Sequence, residues 1–383
     1  MFTTYEEVHY MKNLNDLKIP AELIPNDPRF GSGPSVIPVE HLKILTTASP
    51  HLIGTSHRKN QVLDLVKELQ DNLKQYFNLP KDYIVVLGNG GATFLWDMIG
   101  LGLCQSSSLH YTCGEFSQKW LAAHKKIPWI KTKNVAAEFG FGYKPHFEEG
   151  YDLLCTTLNE TSTGVQNTYL PETPEHCLVL VDATSGAGQI SCDMNRADFY
   201  YFSPQKVLGG DGGLFIGFMS PRARMRAEKI RKDTGRYIPV IMDWEQCIEN
   251  SLKFQTYNTP SIINLLLVNE QLKQMNQWGA QKVEAMAKKK ADLLYGWAES
   301  KTYLDPYVKN KEHRSQAVAT IDMDASIDVN EILKFLRDKK FVYDIDGYRK
   351  LERNQVRISM FHNISFENLD KLTKLISYII ESK

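Results

Sequence analysis

The amino-acid sequence predicts an α/β protein in which a large domain is built on a mostly parallel β-sheet. From Tyr83 onward, short apolar runs alternate with helical patterns, and most of these runs are apolar at nearly every position. Strands with two apolar faces are typical of parallel sheets that helices cover on both sides. After Pro260 the pattern changes to long helices followed by short mixed elements, which indicates a second, smaller α+β domain.

The individual elements follow from local patterns of hydrophobicity. Six apolar runs predict strands, at residues 83–88, 108–112, 152–158, 177–182, 198–202 and 214–219. Between these runs, helices are predicted over residues 92–103 and 115–126. Later elements are helices over 261–300, a strand at 316–322, a helix at 329–338, strands at 341–345 and 355–361, and a helix at 366–381. We expect a large domain over 1–275 and a small domain over 276–383, with residues 1–30 packing on the small domain.

The composition describes a globular protein without a global charge. Among 383 residues, Lys and Arg number 45 and Asp and Glu also number 45, so no overall field favours nucleic acid or an anionic membrane. The six cysteines show no CxxC pair and no zinc-finger spacing, which predicts free thiols in a reducing cytoplasm and no metal site. No run approaches the roughly 20 apolar residues that span a bilayer, and the N-terminus carries charges unlike a secretory signal. We therefore expect a cytoplasmic protein without a membrane segment.

The stretch GNGGATF, residues 88–94, lies between a predicted strand and a predicted helix. Its glycines allow an anion to approach the backbone, and the helix N-terminus offers free N–H groups, with Thr93 as a further donor. The stretch matches neither the GxxxxGK[ST] nor the GxGxxG phosphate-binding pattern. A tight strand-to-helix turn without a ligand is an equally good interpretation of this loop alone.

A carboxylate and a lysine follow two further predicted strands. Asp182 ends the apolar run CLVLVD, and Lys206 stands in YFSPQKVLGGDGG, a segment of mostly aromatic, small and glycine residues. The carboxyl ends of strands in an open α/β sheet face the crevice where such folds bind ligands. Taken singly, a residue such as Asp182 is more often part of a turn, and one such as Lys206 is more often a surface charge.

Taken together, these features fit the chemistry of pyridoxal phosphate. This cofactor needs a lysine for its Schiff base, a carboxylate at its ring nitrogen and a helix N-terminus for its phosphate. Apolar neighbours are expected to lower the pKa of Lys206 and so favour the reactive amine. Phe116 is a candidate for stacking on the ring, although core packing is its plainer role. Thr161 offers a hydroxyl after a strand end, where a turn or helix N-cap is the plainer role.

Eight motifs follow one another along the chain: FGSGPS (30–35), GTSHR (54–58), GNGGAT (88–93), NETSTG (159–164), DATSGAG (182–188), SPQK (203–206), QTYNTP (255–260) and YRKLERNQVR (348–357). In order and spacing they resemble the phosphoserine aminotransferases, which are class-V, fold-type I enzymes that depend on pyridoxal phosphate. The resemblance runs from about residue 30 to the C-terminus. It implies a large domain with a mostly parallel seven-stranded sheet.

The resemblance implies a role for each matching residue. It makes Lys206 the Schiff-base lysine, Asp182 the partner of the ring nitrogen, Phe116 the stacking aromatic and Thr161 the hydroxyl on the ring oxygen. It places around the cofactor phosphate the residues Gly91, Ala92 and Gln205 and, from the second subunit of a homodimer, Asn258 and Thr259. It assigns the anionic groups of the substrate to His57, Arg58, Arg349 and Arg357. Guanidinium groups suit such a substrate on chemical grounds as well, because they bind carboxylate and phosphate with two parallel hydrogen bonds.

Three positions depart from the pattern common in the family. Gly91–Ala92 stand where many members carry an arginine, Phe116 stands where tryptophan is frequent, and Tyr348 stands where histidine is frequent. Without that histidine, affinity for a substrate phosphate is expected to depend more on His57, Arg58 and Arg349.

The expected reaction is amino transfer between L-glutamate and 3-phosphohydroxypyruvate, giving O-phospho-L-serine and 2-oxoglutarate in serine biosynthesis. The pyridoxine-pathway substrate 4-phosphohydroxy-threonine stays open as a second substrate. An alanine–glyoxylate or serine–pyruvate type aminotransferase is the nearest alternative and would not need a phosphate pocket. A cysteine desulfurase would need a late nucleophilic cysteine, and none follows Cys247. A non-catalytic phosphate-binding module would use the glycine-rich turn alone.

Overall fold

The computed structural model describes residues 14–233 and 235–382. Part of the N-terminal segment predicted to pack on the small domain, residues 1–13, therefore lies outside the described residues. The helices are α1 Val39–Ala48, α2 Asn60–Tyr76, α3 Gly91–Gly102, α4 Glu115–Lys125, α5 Pro221–Arg231, α6 Trp244–Leu252, α7 Ile262–Trp278, α8 Ala280–Glu299, α9 Val329–Asp338 and α10 Phe366–Glu381. None of the described helices combines the length and the apolar character needed to cross a bilayer.

Twelve strands are formed within the described residues. They are β1 Ile84–Asn89, β2 Ser107–Thr112, β3 Lys131–Ala136, β4 Leu153–Thr157, β5 Asn159–Glu160, β6 Val165–Gln166, β7 Leu178–Asp182, β8 Phe199–Phe202, β9 Leu214–Met219, β10 Leu304–Pro306, β11 Val318–Met323 and β12 Gln355–Ser359. All six predicted strands between residues 83 and 219 are present, with bounds within one residue of those expected. The edge strand β3 was not predicted, because KTKNVA has no buried residue and lacks the apolar pattern of the other strands.

The central sheet has seven strands in the order β1-β9-β8-β7-β4-β2-β3. Only β9 runs antiparallel to its neighbours β1 and β8, and the other strands run in one direction. The prediction of a mostly parallel seven-stranded α/β sheet is therefore confirmed. In such a sheet the carboxyl ends of the parallel strands share one edge, where ligands bind in α/β folds.

Two apolar cores, one on each face of the sheet, hold the helices against it. Val85 and Leu87 of β1 point to the core that contains α2 and α7, whereas Val86 points to the core that contains α3. The alternation follows from the two-residue period of a strand. Because both faces are covered, the strands are apolar at almost every position, which is the signal that made them recognisable in the sequence.

A third core belongs to the C-terminal part of the chain. Strands β10, β11 and β12 form an antiparallel sheet, and α8, α9 and α10 contribute apolar residues to the same core. Leu14 and Phe30 are buried in it, so the described part of the N-terminal segment packs here. The division into domains at residue 275 stays a prediction, since α7 runs through that position to Trp278.

The predicted strand at 341–345 is wrong. In this segment only Tyr343 makes a bridge, an isolated one to Arg29, and the chain does not continue as a strand. Asp344 has a φ of +63°, in the left-handed region, which interrupts the extended conformation that a strand requires. The aromatic and β-branched residues of FVYDI have high strand propensity. Val342 and Ile345 are buried in the C-terminal core, however, so the segment is apolar because it packs there and not because it pairs with another strand.

Candidate active site

A cavity of about 350 Å³ opens at the carboxyl edge of the central sheet. Its size falls within the range of small-molecule sites. Asp182 is the last residue of β7, Lys206 follows the end of β8, and α3 begins directly after β1. The predicted site residues that line the cavity are Gly91, Ala92, Thr93, Phe116, Thr161, Asp182, Gln205 and Lys206.

The amine of Lys206 is buried at the cavity wall. Its Nζ donates a hydrogen bond to the carbonyl oxygen of Ser32 at 2.9 Å and lies 5.6 Å from the centroid of the Phe116 ring. Burial, helped by the positive charge of Arg357, lowers the pKa of Lys206 from its ordinary 10.5 to about 8, while the carboxylates of Asp182 and Glu160 oppose this shift. A substantial fraction of the amine is therefore neutral near physiological pH, as a nucleophilic lysine requires.

Four hydrogen-bond donors hold the carboxylate of Asp182. Its Oδ1 accepts from the backbone N–H of Thr184 at 3.0 Å and from the Thr184 hydroxyl at 2.6 Å. Its Oδ2 accepts from Trp96 Nε1 and from the Tyr201 hydroxyl, both at 3.2 Å. Burial raises the pKa of Tyr201 well above its ordinary value, so this phenol keeps its proton and acts as a donor. Donors on both oxygens fix the direction of the carboxylate.

The glycine-rich turn brings the N-terminus of α3 to the cavity. Gly90 and Gly91 have φ values of +121° and +72°, which residues with side chains rarely adopt, so the turn requires glycine at these two positions. Ala92 N donates to Ser203 Oγ at 2.5 Å, which ties the first turn of α3 to the segment before Lys206. The N–H groups at a helix N-terminus and its positive dipole end suit a phosphate.

Phe116 is positioned by a buried carboxylate. The backbone N–H groups of Phe116 and Ser117 donate to Glu160 at 3.2 and 2.9 Å, so Glu160 satisfies free donors in the first turn of α4. A Cβ on Gly114 would lie 2.6 Å from Glu160 Cδ, so glycine at 114 provides the space that this carboxylate occupies. The ring of Phe116 is thus presented to the cavity by a rigid helix start.

Thr161 belongs to a small network of hydroxyl and amide groups. Its Oγ1 donates to Ser185 Oγ at 2.8 Å, and Asn159 Nδ2 donates to the same oxygen at 2.7 Å. Asn159 Oδ1 is buried and has no hydrogen-bond partner. Asn159 also lines the cavity, so a polar ligand there can supply the missing partner.

Arg357 lies beside the cavity without a carboxylate partner among the described residues. Its Nη1 donates to the carbonyl oxygen of Thr161 at 3.4 Å, and its Nε is buried without a partner. Burial lowers the pKa of Arg357 from its ordinary value. Arg349 is exposed in the neighbouring turn Arg349–Leu351 and makes no ion pair within the described residues. Both guanidinium groups are available to an anion.

The remaining predicted residues form a second group, which does not line this cavity. Thr259 Oγ1 contacts His57 Nδ1 at 3.2 Å, and Arg58 Nη1 donates to Gln255 Oε1 at 2.6 Å. His57 Nε2 is buried without a partner, and burial followed by the charge of Arg58 lowers the pKa of His57. Asn258 stands next to Thr259 in this exposed segment.

Several residues that shape the site were missed by reasoning from the sequence. Trp96 comes from the second turn of α3 and Tyr201 from within β8, and both reach Asp182. Ser203 and Glu160 lie inside quoted motifs, yet nothing in a single sequence shows that their side chains hold the starts of α3 and α4. Their polar character in buried segments was the available signal.

One buried group of metal-ligand residues lies behind Trp96. Ligand atoms of His110, His124 and Cys155 come within 4.8 Å of one another. His110 Nε2 and His124 Nδ1 hydrogen-bond to each other at 3.1 Å, and His124 Nε2 contacts the carbonyl oxygen of Trp96 at 3.2 Å. Burial lowers the pKa of both imidazoles, that of His124 to about 4, so this pair is neutral and packs as part of the core.

The residues of the cavity fit pyridoxal phosphate. A buried amine, a carboxylate fixed by four donors and a helix N-terminus face one space. Two cavity residues, Asn159 and Gln205, each carry a buried side-chain oxygen without a hydrogen-bond partner. Unsatisfied buried polar atoms are rare in folded proteins, and here they lie where a polar cofactor would complete them.

Fold and site together define an aminotransferase of the pyridoxal phosphate-dependent, fold-type I class. The class-V aminotransferase family model matches residues 137–372 of the chain. The chain is 43% identical over 370 residues to the phosphoserine aminotransferase of a Nocardioides species, with 95% of this chain and 98% of the relative covered. The chain belongs to the phosphoserine aminotransferase family. Its cofactor is pyridoxal phosphate, and the non-catalytic binding module left open by the glycine-rich turn is excluded.

Solved structures agree with this placement. The fold is similar to phosphoserine aminotransferase from Cytophaga hutchinsonii, with a TM-score of 0.84, 25% identity and coverage of 93% of this chain and 99% of the other. It is also similar to the phosphoserine aminotransferase with bound pyridoxal phosphate from Trichomonas vaginalis, with a TM-score of 0.79, 19% identity and coverage of 92% and 100%. The second likeness concerns the fold alone.

Proposed function

We propose that the protein transfers the amino group of L-glutamate to 3-phosphohydroxypyruvate, giving 2-oxoglutarate and O-phospho-L-serine. The observation that carries this proposal is the position of Arg357, a partly buried residue whose guanidinium has no carboxylate partner among the described residues, beside the cavity that holds Lys206 and Asp182. Every substrate and product of this reaction carries at least two anionic groups. A cation without an anionic partner beside the cavity is the feature that such substrates require.

The chain's own residues supply binding and proton transfer. Bound pyridoxal phosphate provides an aldehyde for an amine and a ring that accepts electrons from the substrate. Asp182 would hold the proton of the ring nitrogen, and Phe116 would orient the ring plane. Gly91, Ala92, Thr93 and Gln205 would hold the phosphate, and the Thr161 hydroxyl would contact the ring oxygen. Lys206 Nζ would take the proton from the substrate Cα and return it, acting as both base and acid.

The two halves of this reaction are tested by a spectral titration of the holoenzyme. L-Glutamate should abolish the visible band of the lysine-bound cofactor, and 3-phosphohydroxypyruvate added afterwards should restore it. Lys206→Ala should show no such cycle, whereas Lys253→Ala, at an exposed lysine on another segment, should cycle like the parent. If glyoxylate restores the band and 3-phosphohydroxypyruvate does not, the protein is of the alanine–glyoxylate type. 4-Phosphohydroxy-threonine carries an amino group, so it takes the place of L-glutamate in this titration, and loss of the visible band would identify it as a second substrate.

The proposed active unit is a homodimer in which each site borrows residues from the partner. His57, Arg58, Asn258 and Thr259 carry anion-binding groups but do not line the cavity of their own chain. Three partly exposed apolar residues accompany them in the neighbouring sequence, and such residues support a contact with a second copy: Leu252, Tyr257 and Ile263.

Sharing of sites is tested by mixing two inactive variants. Unfolding and refolding the Lys206→Ala and Arg58→Ala proteins together gives some mixed dimers. In such a dimer one site combines the intact Lys206 of the Arg58→Ala subunit with the intact Arg58 of the Lys206→Ala subunit. Activity should reappear on mixing and stay absent in each variant alone. If Arg58 acts within its own chain, mixing restores nothing.

We also propose that the enzyme works in the cytoplasm. All six cysteines are unpaired, and five of them are buried. Free thiols persist in reducing compartments, which supports this location. Fractionation of cells that express the tagged chain should recover it with cytoplasmic markers, and recovery with a membrane or secreted fraction would contradict it.

A further inference from the structure

Lys119 does not line the cavity itself, but its amine lies against the ring of Phe116, which does. It lies one turn after Phe116 on α4, so the two side chains share a face of the helix. Lys119 Nζ is 5.2 Å from the centroid of the Phe116 ring, and Lys206 Nζ is 5.6 Å from the same centroid. The two amines are therefore at most about 11 Å apart.

Tyr348 connects Lys119 to Arg357. Lys119 Nζ donates to the Tyr348 hydroxyl at 3.2 Å, and the Arg357 guanidinium lies 5.4 Å from the centroid of the Tyr348 ring. The Tyr348 ring also packs edge-on against Phe116, with centroids 5.8 Å apart. Lys119 and Arg357 thus both lie near the Tyr348 ring, which packs on the Phe116 ring that faces the cofactor space.

The positive charge of Lys119 is only weakly compensated. The carboxylate that contacts it is Glu115, at 3.8 Å, which is near the outer limit of an ion pair. Lys350 makes a much closer contact with the same carboxylate oxygen. The Lys119 side chain is 42% exposed, so its amine is within reach of a solute. Lys119 therefore keeps a positive charge that a solute anion can approach.

We propose that Lys119, supported by the Tyr348 hydroxyl, binds the phosphate of the phosphorylated substrate. This inference rests on the proposed function and names a specificity residue for it. The reacting carbon must lie within contact distance of Lys206 Nζ, and three bonds separate that carbon from phosphorus. The two amines are at most about 11 Å apart, so two contacts of about 3 Å leave at most about 5 Å for the linkage, a space into which three bonds fit. A lysine ammonium acts as a point charge for a phosphate, which leaves the guanidinium of Arg357 to the planar carboxylate.

The test is the Michaelis constant of the holoenzyme for each substrate. Lys119→Met keeps most of the stem of the side chain and removes its charge. We expect the KM for 3-phosphohydroxypyruvate to rise at least tenfold, and the KM for L-glutamate, whose side chain bears a single charge, to rise about threefold or less. Lys119→Arg should restore most of the loss, and Tyr348→Phe should give an intermediate effect. Lys125→Met, at an exposed lysine of the same helix, should match the parent.

A binding measurement separates this inference from the proposed reaction. Inorganic phosphate should bind the parent holoenzyme in calorimetry and should bind the Lys119→Met holoenzyme at least tenfold more weakly. If the parent does not aminate 3-phosphohydroxypyruvate, the proposed function fails, and the phosphate titration still decides on Lys119. Three outcomes would overturn the role of Lys119. They are equal changes in KM for both substrates, an unchanged KM for 3-phosphohydroxypyruvate, and equal affinities of the parent and Lys119→Met holoenzymes for phosphate.

Discussion

The backbone of Gly33 lies against the side chain of Lys206. A Cβ on Gly33 would fall 2.7 Å from both Cε and Nζ of Lys206, and Gly33 has a φ of +142°. The carbonyl oxygen of the preceding residue, Ser32, accepts the hydrogen bond from Lys206 Nζ. A loop from the start of the chain thus positions the lysine, although the two segments are about 170 residues apart in sequence.

This contact predicts that Gly33→Ala impairs cofactor binding. The added methyl group must displace the lysine or the loop, because atoms cannot approach to that distance, and the backbone at 33 disfavours a side chain as well. We expect the affinity of the apoprotein for pyridoxal phosphate to fall at least about tenfold, measured by the visible absorbance of titrated apoprotein. Gly150→Ala is the matched control, since Gly150 has a φ of +88° but open space around it. An equal loss in both variants would show that backbone strain alone is responsible.

A second prediction concerns the hydroxyl of Tyr201. Tyr201→Phe removes one of the two donors to Asp182 Oδ2 and leaves the other, Trp96 Nε1. Loss of a hydrogen bond to a buried charged group costs about 1.5–3 kcal/mol, so the variant should unfold at a lower temperature and bind pyridoxal phosphate more weakly. Differential scanning calorimetry of apoprotein and holoenzyme measures both effects.

Tyr200→Phe is the control for this comparison. Tyr200 is the adjacent residue of β8, it is equally buried, and it faces the opposite side of the sheet, where its hydroxyl makes no hydrogen bond within the described residues. Its replacement should leave cofactor affinity unchanged. Unchanged affinity in Tyr201→Phe as well would mean that Trp96 and Thr184 suffice to hold Asp182.

The parts of the fold that the sequence predicts are those where one physical effect dominates. Strands buried on both faces, such as β4 and β7, are apolar throughout, and the amphipathic helix α9 repeats its apolar residues with the helical period. The edge strand β3 was missed because it is partly solvated, and FVYDI was misassigned because local propensity was overridden by packing. Whether such a segment forms a strand depends on its contacts with residues far away in the chain.

The same distinction applies to the site. Asp182 and Lys206 were found because strand ends meet at one edge of a parallel sheet, and the structure brings both to one cavity. The contact of Glu160 with the start of α4 and that of Gly33 with Lys206 could not be predicted, since each joins segments whose relative position only the folded chain defines. The anion-binding residues were suggested by the family resemblance, and their roles stay predictions.

A third prediction concerns the pKa of Lys206. Apart from burial, the positive charge of Arg357 is what lowers this pKa to about 8. Arg357→Met should therefore raise it, so that a higher pH is needed before the amine is neutral and reactive. The pH dependence of the rate at which apoprotein recombines with pyridoxal phosphate reports this change as a displacement of the profile to higher pH.

Arg353→Met provides the control for the pH profile. Arg353 precedes the same strand, β12, but its guanidinium is paired with Asp322 on the exposed side. Arg353→Met should therefore leave the pH dependence of the recombination rate unchanged. A profile that stays in place for Arg357→Met too would mean that burial alone sets the pKa of Lys206.

The last prediction concerns Lys290, a buried lysine of α8 outside the site. Its Nζ donates to the carbonyl oxygens of Phe361 and His362, and it has no carboxylate partner among the described residues. Burial lowers the pKa of Lys290 from 10.5 to about 7. Between pH 7 and pH 10.5 the unfolded chain therefore binds a proton that the folded chain has lost. In this window the group makes the free energy of unfolding rise with pH, by up to about 1.4 kcal/mol per pH unit.

Lys290→Met removes this dependence while keeping a side chain of similar length. The variant should gain stability relative to the parent at pH 7, and this advantage should shrink or reverse by pH 10, because the parent alone gains from the rising pH. Melting temperatures of the apoproteins at both pH values, followed by circular dichroism, measure the change in the difference. Lys288→Met is the control on the same helix, since Lys288 is exposed and paired with Asp292, and its difference from the parent should be the same at both pH values. A constant difference for Lys290→Met as well would mean that the buried amine keeps its ordinary pKa, with water reaching it through the packing of α8.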